Sequence, residues 1–273
     1  MNRRAWFAAA IVAIAFLSYA GYRFYRHSAQ VQPAIVTPKM NARQLIAPSV
    51  GTHISRLFNE RINYANRSKL PKLIALTFDD GPYPVFTPLL LDQLQRLRVH
   101  GTFFLIGRDA EQWPQLAQRI EAGGNEIADH TYTHPNLDQE SEVQVREEIL
   151  KGRDVLYGIA HDPSVFHYFR PPHGRYTVNT IEVAQKLGYL TILWTDDSGD
   201  WRTVTPASLE AHLERYATAP EIVLLHSGRL ATVEMLPDVV ARFEAAGYRF
   251  VTVRQLLTLV TPDQLNHPAK HSV

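Results

Sequence analysis

From Lys72 onward the sequence switches repeatedly between short apolar, β-branched runs and longer amphipathic ones, and this alternation limits the fold more than any other feature. Strand-like runs are Leu73–Phe78, Thr102–Ile106, Glu126–Ala128, Phe166–Arg170, Leu190–Trp194, Ile222–Leu225 and Arg249–Val253. Helical patterns lie between them at Phe86–Arg98, Asp109–Ala122, Ser141–Gly158, Val178–Leu187, Ala207–Tyr216 and Val233–Ala246, and a last one follows near Leu256. Several of these stop at glycine and re-enter a strand, at Gly123-Gly124, Gly188 and Gly247. Ser141, ahead of Glu142 and Val143, starts its helix as a capping residue would. Seven strands alternating with seven helices predict an α/β protein with a parallel sheet, either open or closed into a barrel. An apolar share of 45% supplies a sizeable core for it.

The first strand-like run ends at two adjacent carboxylates, Asp79 and Asp80, followed by Gly81-Pro82 as the turn. Acids at the carboxyl end of a buried parallel strand stand where α/β folds place their active sites. Neighbours on an extended chain point opposite ways, so the two predict different jobs, one for a cation and one for protons. An Asp-Asp-Gly turn is also ordinary capping chemistry, and the other strand ends have to decide between the two.

Four of those ends carry ionisable groups. Asp129-His130-Thr131-Tyr132-Thr133-His134-Pro135 follows the third run, and two histidines four apart share one face of a helical turn, within reach of one cation. With Asp80 they form a three-ligand pattern with an open position for water, suited to Zn²⁺, Co²⁺ or another first-row divalent ion. Arg170-Pro171-Pro172-His173-Gly174 ends the fourth run. Its arginine can grip a carboxylate in bidentate fashion and keep it ionised, and its rigid loop can present a backbone N–H to an oxyanion. His173 reads as a loop residue rather than a ligand. Asp196, Asp197 and Asp200 with Trp201 follow the fifth run, some of them as turn formers, and His226 closes the buried run Ile222–Leu225. Convergence of five such ends on one rim is hard to ascribe to packing.

Before the alternating region stand 18 uncharged residues, Ala5 to Tyr22, between Arg3-Arg4 and Arg23/Arg26. As a helix they span about 27 Å, enough for a bilayer core. Residues 1–26 therefore read as a signal anchor, or as a signal peptide cleaved after Ala20, which places the rest outside the cytoplasm. Residues 27–70, with Pro33, Pro38 and Pro48, read as a linker, 71–262 as the catalytic domain and 263–273 as a tail. With 28 basic against 27 acidic residues the chain shows no charge signature for nucleic acid. With no cysteine, any metal must be held by His, Asp or Glu.

Five segments, Thr-Phe-Asp-Asp-Gly-Pro, His-Thr-Tyr-Thr-His, Arg-Pro-Pro-His-Gly, Asp-Ser-Gly-Asp-Trp and Leu-Leu-His, resemble in order and spacing the motifs of the NodB-homology polysaccharide deacetylases, carbohydrate esterase family 4. The resemblance covers about residues 70–260. It implies a distorted (β/α)7 barrel and a divalent metal, Zn or Co, held by Asp80, His130 and His134. It implies Asp79 as general base beside Arg170, and His226 as general acid tuned by Asp200 and backed by Trp201. His173 departs from the family, which more often has Tyr there; its backbone N–H would still serve the oxyanion. Tyr83 and Trp201 are candidate sugar-stacking groups, whereas Trp113 reads as a core residue of its helix. The implied reaction is removal of N-acetyl groups from an N-acetylglucosamine-containing polymer of the envelope or an exported polysaccharide, releasing acetate. Other readings stay open: a same-fold hydrolase of O-acetyl esters, of a lipid-linked formamido sugar or of a small cyclic amide; a non-catalytic sugar-binding module; or a purely structural barrel.

Overall fold

The computed structural model describes residues 70–160, 168–217 and 219–260. The anchor or signal segment, most of the linker, the tail, and Phe166 and His167 of the fourth strand run lie outside the described residues. Among the described residues there are eight strands: β1 Leu73–Asp79, β2 Thr102–Leu105, β3 Glu126–Asp129, β4 Tyr168–Phe169, β5 Leu190–Thr191, β6 Asp196–Asp197, β7 Glu221–His226 and β8 Arg249–Phe250. All pair in parallel, in the order β5-β4-β3-β2-β1-β7-β6. β8 pairs with the start of β1, below the point where β2 takes over.

The sheet has to curl. A flat path of seven strands at about 4.8 Å spacing would hold its two edges roughly 29 Å apart. Yet β5 and β6, the edges, are joined by only Ile192–Thr195, and five Cα steps reach at most about 19 Å. The result is an incomplete (β/α) barrel whose seam is this short connection.

Side-chain alternation on β1 sorts the core. Ile74, Leu76 and Phe78 pack with Phe103, Val223 and Leu225 under the helix layer, whose α1 (Phe86–Leu97) buries Leu90, Leu91 and Leu94. Leu73 and Ala75 belong to the other face, with Phe104, Ala128, Ile192 and Ile222. Thr77 and Asp79 continue that second face to the rim. The parallel register then brings the carboxyl ends together: Asp79 stands beside Phe104 on β2 and His226 on β7, and Asp129 beside Leu105 and Phe169.

Four expectations about elements are corrected. The run Arg249–Val253 is a strand only to Phe250, and Val253 already opens the last helix, capped by Thr252. The run Leu190–Trp194 is a strand only to Thr191, because the carbonyls of Ile192 and Leu193 turn to the Arg170 guanidinium instead of a neighbouring strand. An eighth strand, β6, has only two acids in sequence and carries no apolar signal. The helix expected over Asp109–Ala122 is two helices, α2 Gly107–Gln112 and α3 Pro114–Ala122, broken at Trp113, since proline at a first helical position cannot continue the preceding ladder. Trp113 is thus a half-buried joint residue, not a helical core residue. The cap at Ser141 is observed as a full capping box with Gln144, opening α4 (Glu142–Ile159). The remaining helices are α5 Val178–Lys186, α6 Pro206–Tyr216, α7 Leu230–Ala245 and α8 Val253–Leu259. Among the described residues no helix is long and apolar enough to cross a membrane.

Candidate metal centre and its flanking groups

β1 ends abruptly in its backbone angles. Asp79 is extended and buried, but Asp80 takes φ 66° and Gly81 φ 74°. That left-handed step, uncommon for a residue with a Cβ, cancels the alternation expected of neighbours. Asp79 and Asp80 both face His130: Asp79 Oδ2 and Asp80 Oδ1 each lie 3.8 Å from its Nε2. Gly81 is required, since a Cβ there would stand 2.5 Å from Ser227 Oγ. The Ser227 N–H and hydroxyl both donate to the Asp79 carbonyl, at 3.0 and 2.9 Å, tying the ends of β1 and β7 together.

His130 and His134 do not sit on a helical turn as expected. Residues 130–136 form a loop in which Thr131 and His134 have φ 68° and 66°. The loop nevertheless aims both rings at one point. His130 Nε2 and His134 Nε2 are 3.2 Å apart, and His134 Nε2 is 3.2 Å from Asp80 Oδ1. Ligands about 2.0–2.1 Å from a tetrahedral ion stand roughly 3.3 Å from one another; two of the three pairs match this spacing, and the third, Asp80 Oδ1 to His130 Nε2, is 3.8 Å. Chemistry agrees with spacing. His130 Nδ1 is 2.7 Å from the Arg170 carbonyl, which fixes Nδ1–H as donor and leaves the Nε2 lone pair facing Asp80. Burial brings the His130 pKa down to about 4, outweighing the pull of Asp79. The ring is therefore neutral, as a ligand must be. Burial also works against the Asp80 carboxylate, but the His134 hydrogen bond and the nearby imidazoles together hold its pKa well below the usual range. The residues fit a divalent cation.

Arg170 is wholly buried. Nη1 donates to Asp79 Oδ1 at 2.5 Å and to Thr77 Oγ1 at 2.9 Å, Nε to the Ile192 carbonyl at 3.1 Å, and Nη2 to the Leu193 carbonyl at 3.0 Å. Its guanidinium carbon lies 3.9 Å from the Phe104 ring centroid. The expected bidentate grip is thus a single-nitrogen contact, because the rest of the fork serves the seam. Burial lowers the Arg170 pKa against the opposing effect of Asp79.

Across the rim, His226 Nδ1 is 2.7 Å from Asp200 Oδ1. Asp200 Oδ2 accepts the His226 N–H at 2.7 Å and the Thr232 hydroxyl at 2.6 Å. Burial opposes the imidazolium, but Asp200 and then Asp79 and Asp80 more than offset it, so the His226 pKa is raised. The three acids after β5 sort by partner. Asp200 is in the site, Asp197 accepts the Gly199 N–H in a turn, and Asp196 pairs with His212. His173 has φ 57° in the turn Pro172–Gly174, and its ring meets that of His134 edge-on at 4.4 Å. Tyr83 packs its ring against Gly228 and has its pKa pushed up to about 12, by burial first and then by Asp80 and Asp109. Trp201 is 45% exposed beside Asp200 in the chain, with Nε1 on Asp197 Oδ1. Sequence reasoning missed Thr77 and Thr232. Neither carries any local signal, since each acts on a partner far along the chain.

Residues 66–192 match the polysaccharide deacetylase family. A peptidoglycan-N-acetylglucosamine deacetylase of Bacillus cereus is 36% identical over 191 residues, covering 68% of this chain and 88% of that protein. A chitooligosaccharide deacetylase of Sinorhizobium fredii is 36% identical over 188 residues, covering 68% and 83%. Among solved structures, the Bc1960 peptidoglycan N-acetylglucosamine deacetylase superposes with a TM-score of 0.66 at 32% identity, over 69% of this chain and 89% of that one.

Proposed function

The chain belongs to the polysaccharide deacetylase family, hydrolases of amide C–N bonds, and from that premise we propose that it removes N-acetyl groups from N-acetylglucosamine units of an envelope or exported polysaccharide, releasing acetate. The observation that carries the reading is the meeting of Asp80, His130 and His134, whose donor atoms all lie within 4.8 Å of one another, between a buried Asp79–Arg170 pair and a His226–Asp200 pair. We assign residues 71–262 to this catalytic domain and residues 1–26 to a signal anchor or signal peptide, so that it acts outside the cytoplasm. The names of the similar proteins support a cell-wall substrate.

A divalent ion on Asp80, His130 and His134, zinc or cobalt by the donor set, would supply polarisation of the substrate carbonyl and a water acidic enough to react at neutral pH. The protein's own groups handle the protons. Asp79, held by Arg170, accepts one from the attacking water. His226, whose raised pKa keeps it an imidazolium further up the pH scale, donates one to the departing amide nitrogen. The product is then an amine rather than an amide anion. Asp200 fixes the His226 ring and balances its charge. The His173 backbone N–H is assigned to the oxyanion, and Tyr83 and Trp201 to the sugar. The test is acetate release by the full chain with added Zn²⁺ or Co²⁺ from peptidoglycan, chitooligosaccharides and acetylated xylan. Release from the first two supports the reading, and release from xylan alone replaces it with an O-acetyl esterase.

A further inference from the structure

The loop bearing His130 and His134 has no ladder of its own, so its shape must be set from outside. The carbonyls of Thr131 and Tyr132 accept the N–H groups of Gly107 and Arg108, at 2.9 and 3.0 Å, from the start of α2. Asp129 Oδ1 accepts the Thr131 N–H at 2.8 Å, and Thr131 Oγ1 accepts the His134 N–H at 3.1 Å. The middle of the loop belongs to α4. Glu148 Oε2 accepts the N–H groups of Tyr132 and Thr133, at 3.1 and 2.8 Å, and Oε1 accepts the Thr133 hydroxyl at 2.7 Å. The Tyr132 N–H is shared with the Glu148 carbonyl at 3.1 Å.

Glu148 reaches the loop because of what lies one turn later on the same face of α4. A Cβ on Gly152 would stand 2.6 Å from Asp129 Oδ1 and 3.0 Å from the Thr131 carbonyl carbon. The helix therefore touches the loop backbone to backbone at Gly152. That contact leaves the Glu148 carboxylate at bonding distance from residues 132 and 133, midway between the two histidines.

We infer that Glu148 is a positioning residue of the metal centre, whose carboxylate sets the approach of His134 to His130 by holding the two residues between them. The inference rests on the metal centre proposed above. Asp80 is placed by β1 and His130 by β3, so His134 is the donor whose position depends most on this clamp. Groups that orient metal ligands typically account for 10–100-fold in affinity.

The experiment measures Zn²⁺ and Co²⁺ dissociation constants by chelator competition for the full chain and for Glu148→Ala, Glu148→Gln, Thr133→Val and His134→Ala. Circular dichroism of the metal-free proteins reports folding. Glu148→Ala is expected to bind 10–100-fold more weakly, with altered cobalt absorption bands and a fall in kcat larger than any change in KM. Glu148→Gln, which keeps one acceptor oxygen, recovers part of the affinity. Thr133→Val removes one of the clamp's bonds, shows a smaller loss of the same sign, and decides the matter if Glu148→Ala does not fold. Wild-type affinity and cobalt spectrum in folded Glu148→Ala, or in Thr133→Val, overturn the inference alone. Wild-type affinity in His134→Ala overturns the metal centre and this inference with it.

Discussion

Asp200 holds His226 at two points: Oδ1 lies 2.7 Å from Nδ1, and Oδ2 accepts the backbone N–H of the same residue at 2.7 Å. The ring therefore cannot turn or shift without breaking a bond to a carboxylate that Thr232 also anchors. A group with a raised pKa stays protonated to higher pH, so in the proposed mechanism the alkaline limb of the rate profile is expected to report His226. Asp200→Asn removes the charge that opposes desolvation. We expect the alkaline limb of kcat to move to lower pH and the maximal rate to fall about 10²-fold. A pH–rate series on both proteins checks this, and an unmoved alkaline limb would refute it.

Asp79→Asn is expected to keep its metal and lose about 10²-fold or more in kcat. His134→Ala is expected to lose both. Metal content of the purified variants beside acetate release separates the two effects. Full activity in Asp79→Asn would remove the base assignment.

Arg170→Lys keeps a positive charge but lacks the fork that reaches Thr77, Asp79, Ile192 and Leu193 together. Stranding part of a buried ionic network costs about 3–5 kcal/mol. Denaturant unfolding should show a loss of that order, along with a reduced rate. Wild-type stability would mean that the seam does not depend on this side chain.

Chelator treatment should abolish activity reversibly, with Zn²⁺ or Co²⁺ restoring it. Because the donors exist as a set only in the folded chain, an ion at 100 times its dissociation constant should add about 2.7 kcal/mol of stability. Melting curves with and without metal test this. Activity that survives complete metal removal would exclude the mechanism.

The parts of the site legible in sequence are those fixed by position along a strand. Asp79, Asp80, His226 and Arg170 each end an apolar run, and parallel pairing carries run ends to one rim without further information. The alternation likewise announced the parallel sheet, though not whether it closes. What the sequence hid depends on backbone angle or on distant partners. Nothing local foretells that Asp80 turns left-handed and so faces the same imidazole as Asp79. The spacing of His130 and His134 suits a helix, and only their surroundings make it a loop. β6 was invisible because two acids pair there against β7 with no apolar face of their own. Glu148 and Thr232 looked like ordinary polar positions on helices.

The seam between β5 and β6 is fastened by the same guanidinium that steadies Asp79. Losing the chemistry would therefore not release Arg170 from selection. A purely recognitional barrel would have no metal for His134 to hold, yet the carbonyls of Ile192 and Leu193 would still need this arginine's donors. Survival of Arg170 in a homologue is thus no sign of turnover.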